Sequence, residues 1–397
     1  MATKSELLLL PESLADVMTQ ADKASYMMNA VRGALLAPEN RKQAPHFNTT
    51  ELAALCDADR SQIVYRSSKG DLPAGTINPG GNRRTFTLED AMPWIREFRA
   101  DQLRPKGAHA VCISVANFKG GVGKTTTAMT LAQGLALKGH KVLVLDCDPQ
   151  GSLTTLFGIL PDTEVDESQT ILPVCLGQES SIAPSIQNTY WPGLDLVCAA
   201  PLLFAAEFGL PARQMRETDF EFWNVLNQAL DDVREEYDVI IIDTPPALSY
   251  VTINALMASD GILMPLPPNA LDAASAAQFW RLFSDLAGQL VEQRGVTKSF
   301  DFVRVLLTRV DSQDSTTATI RDWISKTYEG KVLPAEIPKT TVASSSSAEF
   351  GTVYDVAKYD GSQKTYKRAR DAYERVSELM EEIIRATWRR QVAEGGE

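Results

Sequence analysis

Two lysines bracket a run of glycines in this chain, Lys119-Gly120-Gly121-Val122-Gly123-Lys124, and two threonines, Thr125 and Thr126, follow at once. An apolar run over residues 111–116 precedes the segment, and a helical pattern over residues 127–137 follows it. A strand, a glycine-rich turn and a helix N-terminus together make a phosphate cradle, because backbone N–H groups converge there and the helix end adds partial positive charge. In such a cradle Lys124 reaches the β- and γ-phosphates of a nucleotide, and the Thr125 hydroxyl helps to hold Mg²⁺. The ordinary form of this loop has a glycine five residues before Gly123; Phe118 stands there, with Lys119 directly after it.

Two further segments carry acids suited to the same chemistry. The run Lys141-Val142-Leu143-Val144-Leu145-Asp146-Cys147-Asp148 reads as a buried strand ending in two carboxylates. A second apolar run, Val239-Ile240-Ile241-Ile242-Asp243, ends in another. Ligands of open α/β sheets gather at the C-terminal edge of the strands, and an acid there holds Mg²⁺ through water. Either segment alone reads equally well as a core strand with an ordinary terminal Asp; three segments in this order and spacing point to one site.

The segment from Lys119 to Thr126 resembles the deviant Walker A box of the ParA/MinD class of ATPases. The resemblance implies that ATP or ADP binds to Lys119, Gly120, Gly121, Val122, Gly123, Lys124, Thr125 and Thr126. It implies that Lys119 reaches across a dimer interface to the partner's nucleotide and that Asp148 orients the attacking water. Asp146 and Asp243, with Thr125, would support the Mg²⁺. Lys119, Lys124 and Asp148 are then the catalytic set. Two later segments, Thr308-Arg309-Val310-Asp311 and Glu336-Ile337-Pro338-Lys339, fall where that class contacts the adenine base, which adds Pro338 to the nucleotide site. The proline-rich stretch from Pro265 to Asp272 resembles the class's segment after its fifth core strand.

Composition frames this reading. The chain has 397 residues, enough for two or three folded units, and its 44% hydrophobic content is that of a globular protein. It shows no apolar run of membrane-spanning length, and its first residues are too quickly acidic for a secretory signal. The five cysteines show no paired spacing, so a reducing, cytoplasmic setting is expected. Net charge is −12, but unevenly spread: residues 1–106 carry 14 basic and 13 acidic side chains. Any DNA contact must therefore be local.

The front of the chain reads as two pieces, residues 1–44 and 45–106. Leu14, Val17, Met18, Ala21, Ala24, Met27, Met28, Val31 and Leu35 recur at helical spacing, and a proline-flanked linker follows over residues 37–45. One amphipathic helix cannot bury its own stripe, so it must dock on its own chain or pair with another subunit, and dimerisation is the outcome expected here. Three helix starts come next, marked by Asn48 with Glu51, Asp59 with Gln62, and Thr87 with Asp90, all at N-cap to N3 spacing. Helices over residues 50–57 and 60–69 give helix-turn-helix geometry, and the second presents Arg60, Ser61, Gln62, Tyr65, Arg66 and Lys69 to a major groove. Residues 77–86 read as a hairpin wing carrying Arg83 and Arg84. The order resembles the winged helix-turn-helix of long ParA proteins and of the RepA partition proteins of repABC replicons.

Residues 107–397 alternate strand and helix, so the fold class expected is α/β, a doubly wound, mostly parallel sheet behind a small winged helix-turn-helix domain and an N-terminal helix. Further strands are expected over residues 194–199, 261–266 and 302–308, a polar surface excursion over residues 159–191, and a flexible loop over residues 344–347. A helix over residues 364–390 carries an apolar stripe and a basic start, Lys364, Lys367, Arg368 and Arg370. It is expected to dock on the core, with those cations either simply solvated or adding non-specific DNA phosphate contacts.

The resemblance implies a long, plasmid-type ParA: a nucleoid-associated ATPase that segregates DNA. It would bind non-specific DNA as an ATP-dependent homodimer, answer to a ParB-type partner, and repress its own operon at a specific operator. Two alternatives stay open at this stage, a repressor that senses nucleotide with little turnover and a MinD-like membrane-associated ATPase. The second needs a terminal helix with a clean basic face, which Glu374, Glu378, Glu381 and Glu382 interrupt, so no membrane partner is expected. An iron–sulfur reductase of the same class is set aside, because no cysteine follows Asp243.

Overall fold

The computed structural model describes residues 12–35, 42–78, 80–81, 83–292, 297–311, 313–340, 351–355 and 362–395. Contacts divide the chain into two compact units, Met1–Lys42 and Gln43–Glu397. In the first, α1 (Leu14–Leu35) begins where Asp16 accepts the Ser13 backbone N–H at 2.8 Å. Its stripe faces water: Leu14, Val17, Met18, Met27, Met28 and Val31 are all exposed. The expected linker lies largely, and the serine run wholly, outside the described residues.

The second unit opens with β1 (His46–Asn48), α2 (Thr49–Leu55), α3 (Arg60–Lys69), β2 (Thr76–Ile77), β3 (Arg84–Thr87) and α4 (Leu88–Phe98). Each helix starts at a reciprocal capping box, Asn48 with Glu51, Asp59 with Gln62 and Thr87 with Asp90. Such a cap stabilises a helix by about 1 kcal/mol. Gly70, at φ 77°, ends α3 in the left-handed conformation that only glycine adopts freely. The three strands form an antiparallel sheet in the order β1-β3-β2, so β2 and β3 pair as a hairpin beside α3.

The rest alternates strand and helix. In chain order come β4 (Val111–Val115), α5 (Lys124–Ala136), β5 (Val142–Asp146), α6 (Ser152–Leu156), α7 (Leu172–Leu176), β6 (Gln187–Asn188), β7 (Leu194–Val197), α8 (Ala206–Arg216) and α9 (Val225–Leu230). They are followed by β8 (Val239–Asp243), α10 (Tyr250–Ala258), β9 (Gly261–Leu266), α11 (Ala270–Glu292), β10 (Phe302–Val310), α12 (Ser315–Thr327), β11 (Val332–Pro338) and α13 (Gln363–Glu394). Eight strands form one sheet in the order β11-β10-β9-β4-β8-β5-β7-β6, parallel except for the short β6. This is the expected α/β class, and the fully buried β4, β5 and β8 occupy its middle. From β4 the chain skips a lane to lay down β5 and β7, returns to fill the lane with β8, and then builds β9, β10 and β11 on the far side. The reversal puts the ends of β4, β8 and β5 together, with Val115 and Asp146 each in register with Asp243.

Residues 159–191 are less peripheral than their polar composition suggests. Ile171, Leu172, Val174, Cys175, Ile182 and Trp191 are buried, because α7 packs its apolar residues under α8 and α9.

One apolar core runs from Phe47, Leu52, Phe86 and Trp94 through Met129 and Leu135 to Met380, Ile384 and Trp388. The α13 stripe is therefore used inside the protein, each of those last three side chains contributing roughly 1.5–3 kcal/mol. Around this core, α4 grips the far end of α5: Arg96 donates to the Gly139 carbonyl at 2.7 Å, and Arg99 donates to Glu381 at 2.7 and 2.9 Å. His140 and Lys138 meet the same carboxylate at 2.8 and 3.3 Å. Burial would raise the Glu381 carboxyl, but His140, Lys138 and Arg99 together bring it down to about 2.

Helices α5 and α13 approach closely at Gly134, where an added Cβ would collide with the Ser377 side chain. Gly134→Ala is expected to cost about 1–3 kcal/mol by overpacking, read as a lower urea midpoint. Unchanged stability would show that the two helices spread freely.

Candidate functional site

The loop after β4 is shaped by its own residues. Asn117 is buried, donates to the Pro265 carbonyl at 2.8 Å and accepts the Lys119 backbone N–H at 3.1 Å. This ties the start of the loop to the end of β9. Phe118, the residue that departs from the ordinary loop, packs edge-on against Phe279 of α11 at 4.4 Å. Gly121 and Gly123 take φ of 73° and 95°, values that a side chain would strain. Gly123 caps α5 without a side-chain bond, so the first N–H groups of α5 stay open for an anion.

The two lysines are placed differently. Lys124 is 6% exposed and donates to the Lys119 carbonyl at 3.0 Å. Burial lowers its ammonium, against the opposing pull of Asp243 and Asp148. The Lys119 side chain is 39% exposed and forms an ion pair with Asp272 in the first turn of α11. Asp272 is itself held by Asn269, which accepts its backbone N–H at 2.9 Å. Helix α11 therefore holds both Phe118 and Lys119. On the other flank Thr308 donates to the Val122 carbonyl at 2.8 Å and Arg309 to the Gly121 carbonyl at 2.5 Å. Arg309 takes a φ of 53°, a strained value for a side-chain-bearing residue. These two residues brace the loop backbone. Pro338 ends β11 in register with Val310, at the same sheet edge.

Behind the loop sits a cluster of carboxylates. Burial drives Asp146 up to about 7, against hydrogen bonds from the Thr154 backbone N–H and hydroxyl, both at 2.8 Å, and from the Asp148 N–H at 3.1 Å. Burial and the nearby Asp146 raise Asp243 well above the usual carboxylate range, with Thr125 and Lys124 pulling the other way. Both Asp243 carboxylate oxygens are buried without a hydrogen-bond partner. Buried oxygens in that state call for a cation, so Asp243, Asp146 and Thr125 fit a Mg²⁺. Among the described residues no group of three His, Cys, Asp or Glu forms a metal cage. Asp148 is partly exposed at the mouth, its carboxylate accepting the Gln150 N–H at 3.0 Å.

Asn117, Thr154 and Asp272 are the members that sequence reasoning did not assign to the site. Asn117 and Asp272 flank named motifs, but nothing in their spacing shows which backbone or side chain they meet.

The basic residues fall into two groups. On α3, Arg60, Ser61, Gln62 and Lys69 are exposed, and the Gln62 side-chain oxygen is engaged as the cap that accepts the Asp59 N–H at 2.9 Å. Arg66 pairs with Asp71 at 2.6 Å and Glu97 at 3.4 Å, above the Phe98 ring. Gln62 and Arg66 are thus turned to holding the fold. Arg60 faces Arg83 and Arg84 across a groove of about 950 Å³ between α3 and the hairpin. On α13, Lys364, Lys367 and Arg368 are exposed. Arg370 turns inward to Glu374 at 2.8 Å and to the Tyr366 hydroxyl at 3.3 Å.

Comparison with known proteins agrees with this geometry. A family model described as an AAA domain matches residues 110–294. A Rhizobium rhizogenes protein provisionally named replication protein A is 32% identical over 93% of this chain and 94% of its own. Protein SopA of Escherichia coli K12 is 30% identical over 89% of this chain and 92% of its own. The chain belongs to the ParA/SopA family of partition ATPases. A solved structure named Partition Protein shares the fold over 94% of this chain and 99% of its own, at 20% identity and a TM-score of 0.64. Cobyrinic acid a,c-diamide synthase of Mycobacterium smegmatis, solved with an ATP analogue and magnesium, covers 68% of this chain and 94% of its own. It is 28% identical, with a TM-score of 0.52. No helix among the described residues of this ParA/SopA member is long and apolar enough to cross a membrane.

Proposed function

We propose that this ParA/SopA member hydrolyses ATP with Mg²⁺ to drive partition of a plasmid or secondary replicon in the cytoplasm. The observation that carries the reading is the single sheet edge on which the glycine loop, the nearly buried Lys124 and the unpartnered Asp243 converge. Lys124 and the open N–H groups of α5 hold the phosphates, while Asp148 orients water toward the γ-phosphorus. Bound Mg²⁺ supplies charge neutralisation, and Asp243, Asp146 and Thr125 are the residues placed to hold it. Membership of the ParA/SopA family of partition ATPases, and the ATP analogue and magnesium in a structural relative, support the assignment.

In this reading Lys119 leaves Asp272 to reach a second subunit's nucleotide, so turnover needs an ATP-bound dimer, which α1 helps to assemble. The dimer binds nucleoid DNA non-specifically through Lys364, Lys367 and Arg368, cations that the N-terminal end of α13 would otherwise disfavour. A ParB-type partner accelerates hydrolysis. Residues 45–106 act as a winged helix-turn-helix that binds the operator of its own operon, and the bound nucleotide selects between the two roles. The burial of the α13 stripe favours this over a membrane-associated ATPase.

The test is ATP turnover with random-sequence DNA and the cognate ParB-like protein, separately and together. Stimulation by both, lost in Lys124→Ala, is the expected result. Flat, negligible turnover despite tight ATP binding would replace the motor with a nucleotide-sensing repressor.

A further inference from the structure

The groove between α3 and the β2–β3 hairpin holds more than positive charge. Arg60, Val64 and Ser68 follow one another at four-residue spacing, so they form one stripe along α3, and all three line the groove. Val64 is 55% exposed, and Ile77 on the hairpin wall is 52% exposed. The hairpin also supplies Arg83 and Arg84, and one terminal guanidinium nitrogen of Arg84 is buried without a hydrogen-bond partner. Among the described residues, none of these three arginines has an ion-pair partner, whereas Arg66 on the same helix has two.

A groove that only clamped phosphates would be served by cations and hydroxyls. Branched aliphatic side chains add nothing to phosphate binding, but they match the one apolar mark on a base edge, the C5-methyl of thymine in the major groove. We infer that this groove reads duplex DNA, with Val64 packing on a thymine methyl, Arg60 bonding a guanine edge beside it, and Arg83 and Arg84 holding the adjoining backbone. The inference rests on the reading of residues 45–106 as a DNA-binding module. It moves the base-reading face away from Gln62 and Arg66, whose side chains hold the helix cap and the α3–α4 contact. Tyr65 lies off the stripe, its ring 4.8 Å from the Lys69 ammonium.

The experiment selects a binding site for the full-length protein from a random duplex pool and then replaces its thymines one at a time with deoxyuridine, which lacks only the methyl. Loss of the methyl at one position is expected to weaken binding about three- to fivefold, the weight of one apolar group removed from water. Val64→Ala should bind the unmodified site with the same loss and be indifferent to deoxyuridine there. Arg66→Ala should lower the melting temperature yet keep the wild-type deoxyuridine profile. Wild-type affinity unaffected by every replacement, or a Val64→Ala protein as sensitive as wild type, would overturn the Val64 assignment while leaving the DNA-binding module in place. Failure to enrich any sequence would instead remove the module itself.

Discussion

Asp243→Asn is expected to reduce ATP turnover by about 10²–10³, as removal of a charge-stabilising group in such a site does, and yet to raise the melting temperature of the nucleotide-free protein. The two effects share one cause. Asp243 and Asp146 are cross-strand register partners, both fully buried; burial raises both carboxyls, and the charge of Asp146 adds to the rise at Asp243. A carboxyl whose folded value lies above its unfolded one binds its proton more tightly when folded. Stability is then greatest at low pH and falls as pH rises from the unfolded range toward about 7, the value reached by Asp146. The amide removes one of the two charges, so the gain should be largest near pH 8, roughly 2–4 °C, and should fade near pH 5. Thermal melts across this range, beside phosphate-release rates, check both halves. A destabilised variant at pH 8 would mean that Lys124 needs Asp243 more than Asp146 suffers from it.

Lys119→Ala should abolish ATP-dependent dimerisation and cut hydrolysis by about 10³, the effect of losing a cation supplied to the transferring phosphate from a second subunit. ATP binding should remain, because Lys124, the N–H groups of α5 and the Asp243 side of the site are untouched. The two lysines are separable on structural grounds: Lys124 is built into the floor, while Lys119 stands at the rim and is paired with Asp272. Sedimentation with and without ATP, beside turnover, reads both effects. Normal turnover in this variant would contradict the cross-subunit role.

Much of the molecule was legible because it is written in local chemistry. Capping boxes at Asn48, Asp59 and Thr87 need only residues three apart, and those three helices begin within one residue of the expected starts. Buried parallel strands need unbroken apolar runs, so β4, β5, β8 and β9 were visible, β9 to the residue. The glycine loop was readable because positive φ at Gly121 and Gly123 demands glycine. Less legible were residues 159–191, where polar composition hid apolar residues that pack under two later helices.

By itself, the sequence determined the class of sheet, the glycine loop with its two lysines, and the strands that end in Asp146 and Asp243. The tertiary structure decided which groups meet. Only the return of β8 into the lane between β4 and β5 puts Asp243 beside Asp146. Only the packing of α11 gives Lys119 its Asp272 and Phe118 its Phe279. Only the α3–α4 contact turns Arg66 inward and leaves Arg60 and Val64 on the groove. Periodicity shows which way a side chain points from its own element. Partners distant in the chain follow from the order in which elements fill a sheet and cover its faces, and that order is set by burial over the whole chain.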